Sequence, residues 1–151
     1  MAAKKVLPIK TKVPNQSEAA TVGKIKKRIL RDSPEFAMLV KNTNANIVFK
    51  DEEKTGADLL MSPRLKTKLD DLAVLVRQEW PNIRLRVTEA WDENVEHNLA
   101  SAHYEGRAAD LTTSDVDQAK LGRLAALAVD AGLDWVFYEN QFHVHVSVKR
   151  D

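Results

Sequence analysis

The most regular hydrophobic pattern in the chain runs from residue 62 to residue 81. Ser62 followed by Pro63 is typical of a helix start, with the serine as N-cap and the proline at the first helical position. Apolar residues then recur at helical spacing along one face: Leu65, Leu69, Leu72 and Val76. Because Pro81 ends the pattern, the sequence predicts one long helix with a buried face.

A second helix is predicted after residue 113. Thr113 or Ser114 is placed to cap its start, and Gly132 supplies the left-handed residue that commonly follows a helix end. The apolar face of this helix consists of Leu121, Leu124 and Ala128.

Short apolar or alternating runs predict the strands. The run 47–49 suits a strand, residues 83–87 alternate between apolar and arginine side chains, and 134–138 and 142–148 predict two strands joined by a turn at 140–141. Strands and helices do not alternate strictly along the chain. The predicted fold class is therefore α+β rather than a doubly wound parallel sheet.

Composition narrows the class of protein. The chain has 151 residues and a mass of 17.0 kDa, the usual size of one domain. It contains no cysteine, which excludes disulfides, thiolate nucleophiles and iron–sulfur clusters. No apolar run approaches the roughly 20 residues that a membrane span needs. The first thirty residues also lack the features of an intact secretory signal.

The net charge of +1 conceals a strong asymmetry. Residues 1–31 hold nine basic residues and one acid, Glu18, whereas the remainder holds 14 basic and 21 acidic residues. Residues 1–45 lack a regular apolar period and are predicted to form a basic arm, and the ordered domain is predicted to span 46–151. Such an arm suits contact with a polyanion, for example a sulfated polysaccharide, and equally suits a solvated tail.

Candidate chemistry lies in the last predicted strand. Alternation places His143 and His145 on the same face, roughly 6.6–6.8 Å apart along the strand. That separation favours one histidine as a metal ligand and the other as a supporting group, while two surface histidines are the alternative interpretation.

The remaining histidines strengthen the case for a metal. His97 and His103 are the other two of the four in the chain, and both precede Asp110. Imidazole and carboxylate are zinc ligands, and three protein ligands with an open fourth position are typical of catalytic zinc. The helical His-Glu-x-x-His spacing is absent, which excludes the metalloprotease class built on it.

Four segments of the chain, 46–58, 85–92, 103–115 and 127–135, resemble the amino-terminal signalling domain of hedgehog proteins. The similarity runs from about Lys4 to Lys149. That domain is similar in fold and metal site to zinc peptidases of the D-alanyl-D-alanine carboxypeptidase and lysostaphin group. The resemblance implies a two-layer sandwich of a mixed or antiparallel sheet with two main helices.

The resemblance also implies roles for particular residues. The implied zinc ligands are His103, Asp110 and His145, and Glu139 matches the general base of the peptidases. His143 and His97 match accessory histidines that could donate to a developing oxyanion. The leading hypothesis is therefore a calcium-modulated zinc metallopeptidase, a hydrolase acting on a peptide or on a cell-wall or matrix substrate.

A calcium site is implied by a second group of residues in two acidic loops. This group comprises Glu52, Glu53, Asp58, Thr88, Glu89, Asp92 and Asn94. Hard oxygen ligands in loops suit calcium. Asn94 stands where the family usually has an acid, so one of two calcium ions is expected to bind more weakly. Without the resemblance, residues 51–53 would be interpreted as a solvated loop.

The alternative function is a secreted signalling ligand with a non-catalytic zinc ion. Its calcium-bound surface would dock receptors such as Patched and its co-receptors. Both hypotheses imply a monomer in an extracellular or periplasmic location. Leu65 and Val146 occupy positions where the family usually has cysteine, which suggests a distant relative. The family's lipid-bearing amino-terminal cysteine is also missing, which trimming of the chain would explain.

Overall fold

A six-stranded sheet and two main helices make up the α+β fold of the computed structural model, which describes residues 4–51, 54–93 and 101–151. The strand order is β1-β7-β8-β6-β5-β3, with β3 parallel to β5 and every other neighbouring pair antiparallel. The strands of this sheet are β1 (Lys12–Val13), β3 (Ile47–Phe49), β5 (Leu85–Glu89), β6 (Ala108–Thr113), β7 (Trp135–Asn140) and β8 (His143–Ser147). A separate two-stranded sheet pairs β2 (Val40–Lys41) with β4 (Leu60–Met61). The predicted mixed sheet with two main helices is confirmed.

The long amphipathic helix is confirmed as α2 (Pro63–Glu79). The Ser62 side chain accepts a hydrogen bond from the Leu65 N–H at 3.2 Å, as an N-cap does. All four residues of the predicted apolar face are fully buried in the main core. The helix packs against α3 (Leu121–Asp130) and against β5, so its apolar face forms much of the interior.

Replacing Ser62 with alanine is expected to lower the free energy of unfolding by about 1 kcal/mol, because the Leu65 N–H loses its partner at the helix start. Urea denaturation measures this loss. Thr67, exposed on the same helix, is the matched control, since Thr67→Ala removes no cap and raises helix propensity slightly. Equal midpoints for Ser62→Ala and the parent chain would contradict the assigned cap.

The start of the second main helix differs from the prediction. Thr113 belongs to β6, and its hydroxyl donates to Asp115 Oδ1 at 2.6 Å. The cap is instead Asp117, whose side chain accepts from the Ala119 N–H at 2.9 Å and starts a 3-10 turn that leads into α3. The end is as predicted, because Gly132 follows the C-cap residue Ala131 with a φ of 89°.

The central strand β6 is absent from the sequence-based prediction. All six of its residues are buried, including the polar Asp110 and Thr112, and Leu111 is its one apolar side chain larger than alanine. Its sequence, Ala-Ala-Asp-Leu-Thr-Thr, therefore gives only a short and weakly apolar signal, although the strand lies between β8 and β5 in the middle of the sheet.

The segment predicted as a basic arm packs onto the body over its described part, residues 4–45. Strand β1 pairs with β7, placing Lys12 opposite Phe137 and Val13 opposite Val136. Buried side chains then anchor the segment at intervals: Leu7, Val22 and Ile29. Each short element contributes only one or two apolar residues, which explains why no regular period is visible in the sequence.

Among the helices of the described residues, none is both long enough and apolar enough to cross a bilayer.

Candidate metal centre

Two neighbouring strands and one short helix bring together His103, Asp110 and His145. Asp110 lies in β6 directly opposite His145 in β8. His103 lies in the 3-10 helix Ala102–Glu105, after which Gly106 turns the chain in the left-handed conformation (φ 70°) toward β6. The three residues are buried, and each offers one ligand atom within 4.8 Å of the others. The predicted zinc ligands therefore lie together.

Both histidines of this group are held by a hydrogen-bond partner at the ring nitrogen that faces away from the other ligand atoms. His103 places Nδ1 at 2.7 Å from the Ala90 carbonyl oxygen and Nε2 at 3.5 Å from Asp110 Oδ1. His145 places Nδ1 at 3.0 Å from Asp110 Oδ1 and Nε2 at 2.5 Å from Glu18 Oε2. Histidines that bind metals usually donate their second N–H to a carbonyl or a carboxylate. The two imidazoles and one carboxylate thus fit a divalent ion.

The surroundings of Asp110 and His145 shift the pKa of each toward its charged form. Burial by itself raises the pKa of Asp110, but the adjacent His103 and His145 outweigh it and hold that pKa well below the ordinary value. Burial by itself lowers the pKa of His145, yet hydrogen bonds with Asp110 and Glu18 raise it to about 10. A divalent cation would therefore replace a proton on His145, and its binding would release that proton.

A groove of about 570 Å³ opens beside the three residues. His143 and Glu139 stand on its wall, with His143 Nε2 at 3.1 Å from Glu139 Oε1 and 3.7 Å from Asp110 Oδ1. The hydrogen bond from His143 lowers the pKa of Glu139, which makes that carboxylate a weaker base. Trp135 and Phe137 supply an aromatic wall. The third residue predicted for catalysis, His97, lies outside the described residues.

The loops predicted to bind calcium lie next to this centre. Asp58, on the 3-10 helix Ala57–Leu59, and Asp92 are both buried, and that short helix packs against β5, which carries Thr88 and Glu89. The Thr88 hydroxyl donates to the Asp110 carbonyl oxygen at 3.2 Å. The other residues predicted for calcium lie outside the described residues: Glu52, Glu53 and Asn94. Among the described residues, the two acidic loops therefore adjoin both each other and the metal centre.

The positive charge of residues 24–31 is partly matched by acids. Lys27 pairs with Glu35 at 2.9 Å, and Arg31 pairs with Glu93 at 2.7 Å. Lys24 remains exposed. Binding of a polyanionic polysaccharide through this segment stays a prediction.

Sequence reasoning missed Glu18, the carboxylate that contacts His145. It lies on the short helix α1 (Glu18–Val22), 127 residues away from the histidine that it contacts. The sequence offered one indication of its importance, because Glu18 is the one acidic residue among the first 31, which are otherwise rich in lysine and arginine.

The fold and the site define a class of protein, namely a small α+β domain with a buried His–Asp–His centre built from two central strands of its sheet and an adjoining 3-10 helix. The model of the hedgehog amino-terminal signalling domain matches residues 1–147. The chain therefore belongs to the hedgehog family and corresponds to the amino-terminal signalling domain of that family.

Curated relatives agree with this assignment. The chain is 50% identical to the Tiggy-winkle hedgehog protein of Danio rerio over 98% of its own length and 36% of that protein. It is 54% identical to Protein hedgehog of Drosophila simulans, over 96% of its own length and 37% of that protein. It is 49% identical to the Indian hedgehog protein of Gallus gallus, over 98% of its own length and 37% of that protein. The chain thus spans about a third of the length of these relatives.

These comparisons correct the main functional prediction. The predicted zinc metallopeptidase with a peptide or cell-wall substrate is wrong, because the matching family is a signalling domain and the relatives at about 50% identity are hedgehog proteins. The residue pattern from His103 to His145 is similar in both classes of protein, so the pattern alone could not separate them. A periplasmic location, the second of the two locations predicted from the resemblance, gains no support from these relatives.

Proposed function

We propose that this chain is the signalling part of an extracellular hedgehog-type ligand, which acts by binding receptors rather than by hydrolysis. The observation that carries the proposal is the family match over residues 1–147. Receptor proteins of the Patched type and their co-receptors are the proposed partners. The metal centre then serves to order the face on which β6 and β8 present their polar side chains.

Zinc is the proposed ion of the centre. Two imidazole nitrogens and one carboxylate oxygen match the ligand types that zinc takes, and the burial of His103, Asp110 and His145 limits access of water to them. When bound, such an ion supplies fixed positive charge and ties β6, β8 and the 3-10 helix together. His103 and His145 would each offer one nitrogen while keeping the outer hydrogen bond that orients the ring.

Calcium is the proposed ion of the adjacent loops, through Asp58, Thr88, Glu89 and Asp92 together with Glu52, Glu53 and Asn94. Buried Asp58 and Asp92 are carboxylates, and a hard cation suits such oxygen donors. In this proposal calcium neutralises the loops so that a receptor can dock there.

The affinity of the chain for its receptor is expected to fall by about tenfold or more when calcium is chelated. A change of this size is typical when the binding of two ligands is coupled. The measurement is binding of the chain to immobilised ectodomains of Patched and of a co-receptor, with millimolar calcium or with a calcium chelator. Asp92→Asn is expected to reproduce the loss in calcium, because it removes one buried carboxylate from the loops.

Asp71→Asn is the matched control, since Asp71 is an exposed carboxylate on α2. Absence of binding to every hedgehog receptor tested would overturn the proposed signalling function. Equal binding with and without the chelator would remove calcium from the proposal and leave the signalling function standing.

A further inference from the structure

The amino-terminal segment reaches the metal centre through a single carboxylate. Glu18 Oε2 lies 2.5 Å from Nε2 of His145, and both side chains are largely withdrawn from solvent. We propose that Glu18 is a positioning residue for His145, and that it couples retention of the divalent cation to docking of residues 12–23. This inference rests on the proposed zinc ion.

The geometry explains how Glu18 acts through His145. With Nε2–H donating to Glu18, the imidazole ring presents Nδ1 toward Asp110, where the three ligand atoms converge. The carboxylate also offsets positive charge that a cation induces on the ring. Outer carboxylate partners of metal-binding histidines typically change metal affinity by 10- to 100-fold.

Contacts on both sides of Glu18 hold it in place independently of the metal centre. Before it, the Trp135 indole N–H donates to the Gln16 carbonyl oxygen at 2.9 Å. After it, the Arg107 guanidinium donates to the carbonyl oxygens of Val22 at 2.8 Å and Gly23 at 3.0 Å. The segment therefore has its own attachment to the body, and loss of the Glu18 carboxylate should leave the domain folded.

The coupling is reciprocal by thermodynamic necessity. If the docked segment raises the affinity of the centre for a cation, the bound cation must stabilise the docked segment by the same factor. Residues 12–23 hold strand β1, the N-cap Ser17 and helix α1, so opening of this segment exposes backbone N–H groups that hydrogen exchange can report.

The first test measures zinc affinity by competition with a chromophoric chelator. Glu18→Ala is expected to bind zinc about 10- to 100-fold more weakly than the parent chain. Glu18→Gln keeps an acceptor for Nε2–H without the charge, so its zinc affinity should lie between those of Glu18→Ala and the parent chain. Glu35→Gln is the matched control, because Glu35 is a carboxylate of the same amino-terminal region that pairs with Lys27 away from the centre.

The second test uses readouts that a merely structural role would not change. The visible absorption bands of the cobalt-substituted chain should shift in Glu18→Ala, since they report the environment of the ligands. Removal of zinc should speed exchange of the amides of residues 12–23 in the parent chain, but not in Glu18→Ala, where the coupling is already lost.

The outcomes separate the inference from the proposed zinc site. A parent chain that binds no zinc overturns both. A parent chain that binds zinc, with Glu18→Ala and Glu18→Gln of equal affinity, overturns only the role of Glu18. Should Glu18→Ala fail to fold, the affinity of Glu18→Gln decides the question.

Discussion

Replacing Arg107 with methionine is expected to lower the free energy of unfolding by about 3–5 kcal/mol, the usual cost of breaking a buried charge pair. Arg107 is only 2% exposed, and methionine preserves much of its aliphatic volume. The loss would therefore come from the guanidinium group. Chemical denaturation of the parent chain and the variant measures it.

The guanidinium of Arg107 joins three separate parts of the chain. Nη1 donates to the carbonyl oxygens of Val22 at 2.8 Å and Val148 at 3.2 Å, and Nη2 donates to that of Gly23 at 3.0 Å. Both Nε and Nη2 donate to Glu105 Oε1, at 3.0 and 2.6 Å. Its removal leaves a largely buried carboxylate and several carbonyl groups short of donors, and each such group carries a desolvation cost.

Arg77→Met is the control for this prediction. Arg77 is exposed on α2 and donates to Asn46 Oδ1 at 2.8 Å, so its replacement should change stability by about 0.5 kcal/mol or less. An equally small loss in Arg107→Met would contradict the assigned role of the buried guanidinium.

The loss of unfolding free energy in Arg107→Met should depend on pH, because part of it comes from the ion pair between Arg107 and Glu105. Burial by itself raises the pKa of Glu105, but hydrogen bonds from Arg107 and the Lys26 N–H outweigh it and hold that pKa below its ordinary value of 4.5. A carboxyl with a lowered folded pKa contributes stability that is complete above its unfolded pKa and is lost as the pH falls through the folded pKa. The difference between the parent chain and Arg107→Met should therefore be full at pH 7 and narrow below pH 4.5.

Helix α2 and strand β8 could be predicted because each shows its period locally. Four buried residues of α2 recur at helical spacing behind a Ser-Pro start, and β8 alternates Val144 and Val146, both fully buried, with histidines. The alternation also placed His143 and His145 on one face, and both line the groove. A pattern of this kind depends only on the residues of one element, so it can be recognised in the sequence without knowing which elements pack against it.

Strand β6 and the amino-terminal segment could not be predicted, because their structure depends on the rest of the fold. The six residues of β6 are buried between its sheet neighbours β5 and β8, and the strand owes its place to that pairing rather than to a strongly apolar sequence. The amino-terminal segment is held by pairing of β1 with β7 and by the Arg107 guanidinium, neither of which leaves a periodic signal.

The metal centre shows the same division between local pattern and topology. Two local sequence features, the spacing from His103 to Asp110 and the pair His143 and His145, resemble those of a known family. The predicted zinc ligands were identified from that resemblance. Glu18 contacts His145 across 127 residues of chain, and only the packing of α1 near β7 brings it there. Residues that tune a site from a distant segment are therefore invisible to spacing, although an isolated acid in a basic segment is a useful signal.

Replacing Asp110 with asparagine is expected to abolish the stabilisation that zinc gives to the domain. A ligand that binds only the folded state at about 1,000 times its dissociation constant stabilises it by about 4 kcal/mol. Asp110 supplies the one carboxylate among the three convergent residues, and its Oδ1 lies within reach of both His103 and His145. Asparagine keeps the shape but removes the charge that draws a divalent cation between the two imidazoles.

The comparison must be made within each variant, because Asp110→Asn also weakens the metal-free domain by removing the ionic partner of His145. Thermal unfolding with excess zinc and with a zinc chelator gives the metal-dependent shift for each chain. Asp130→Asn, at the exposed end of α3, should keep the full shift of the parent. A full shift in Asp110→Asn would show that zinc binds elsewhere, since an imidazole pair without its carboxylate lacks the third ligand that a zinc site of this kind requires.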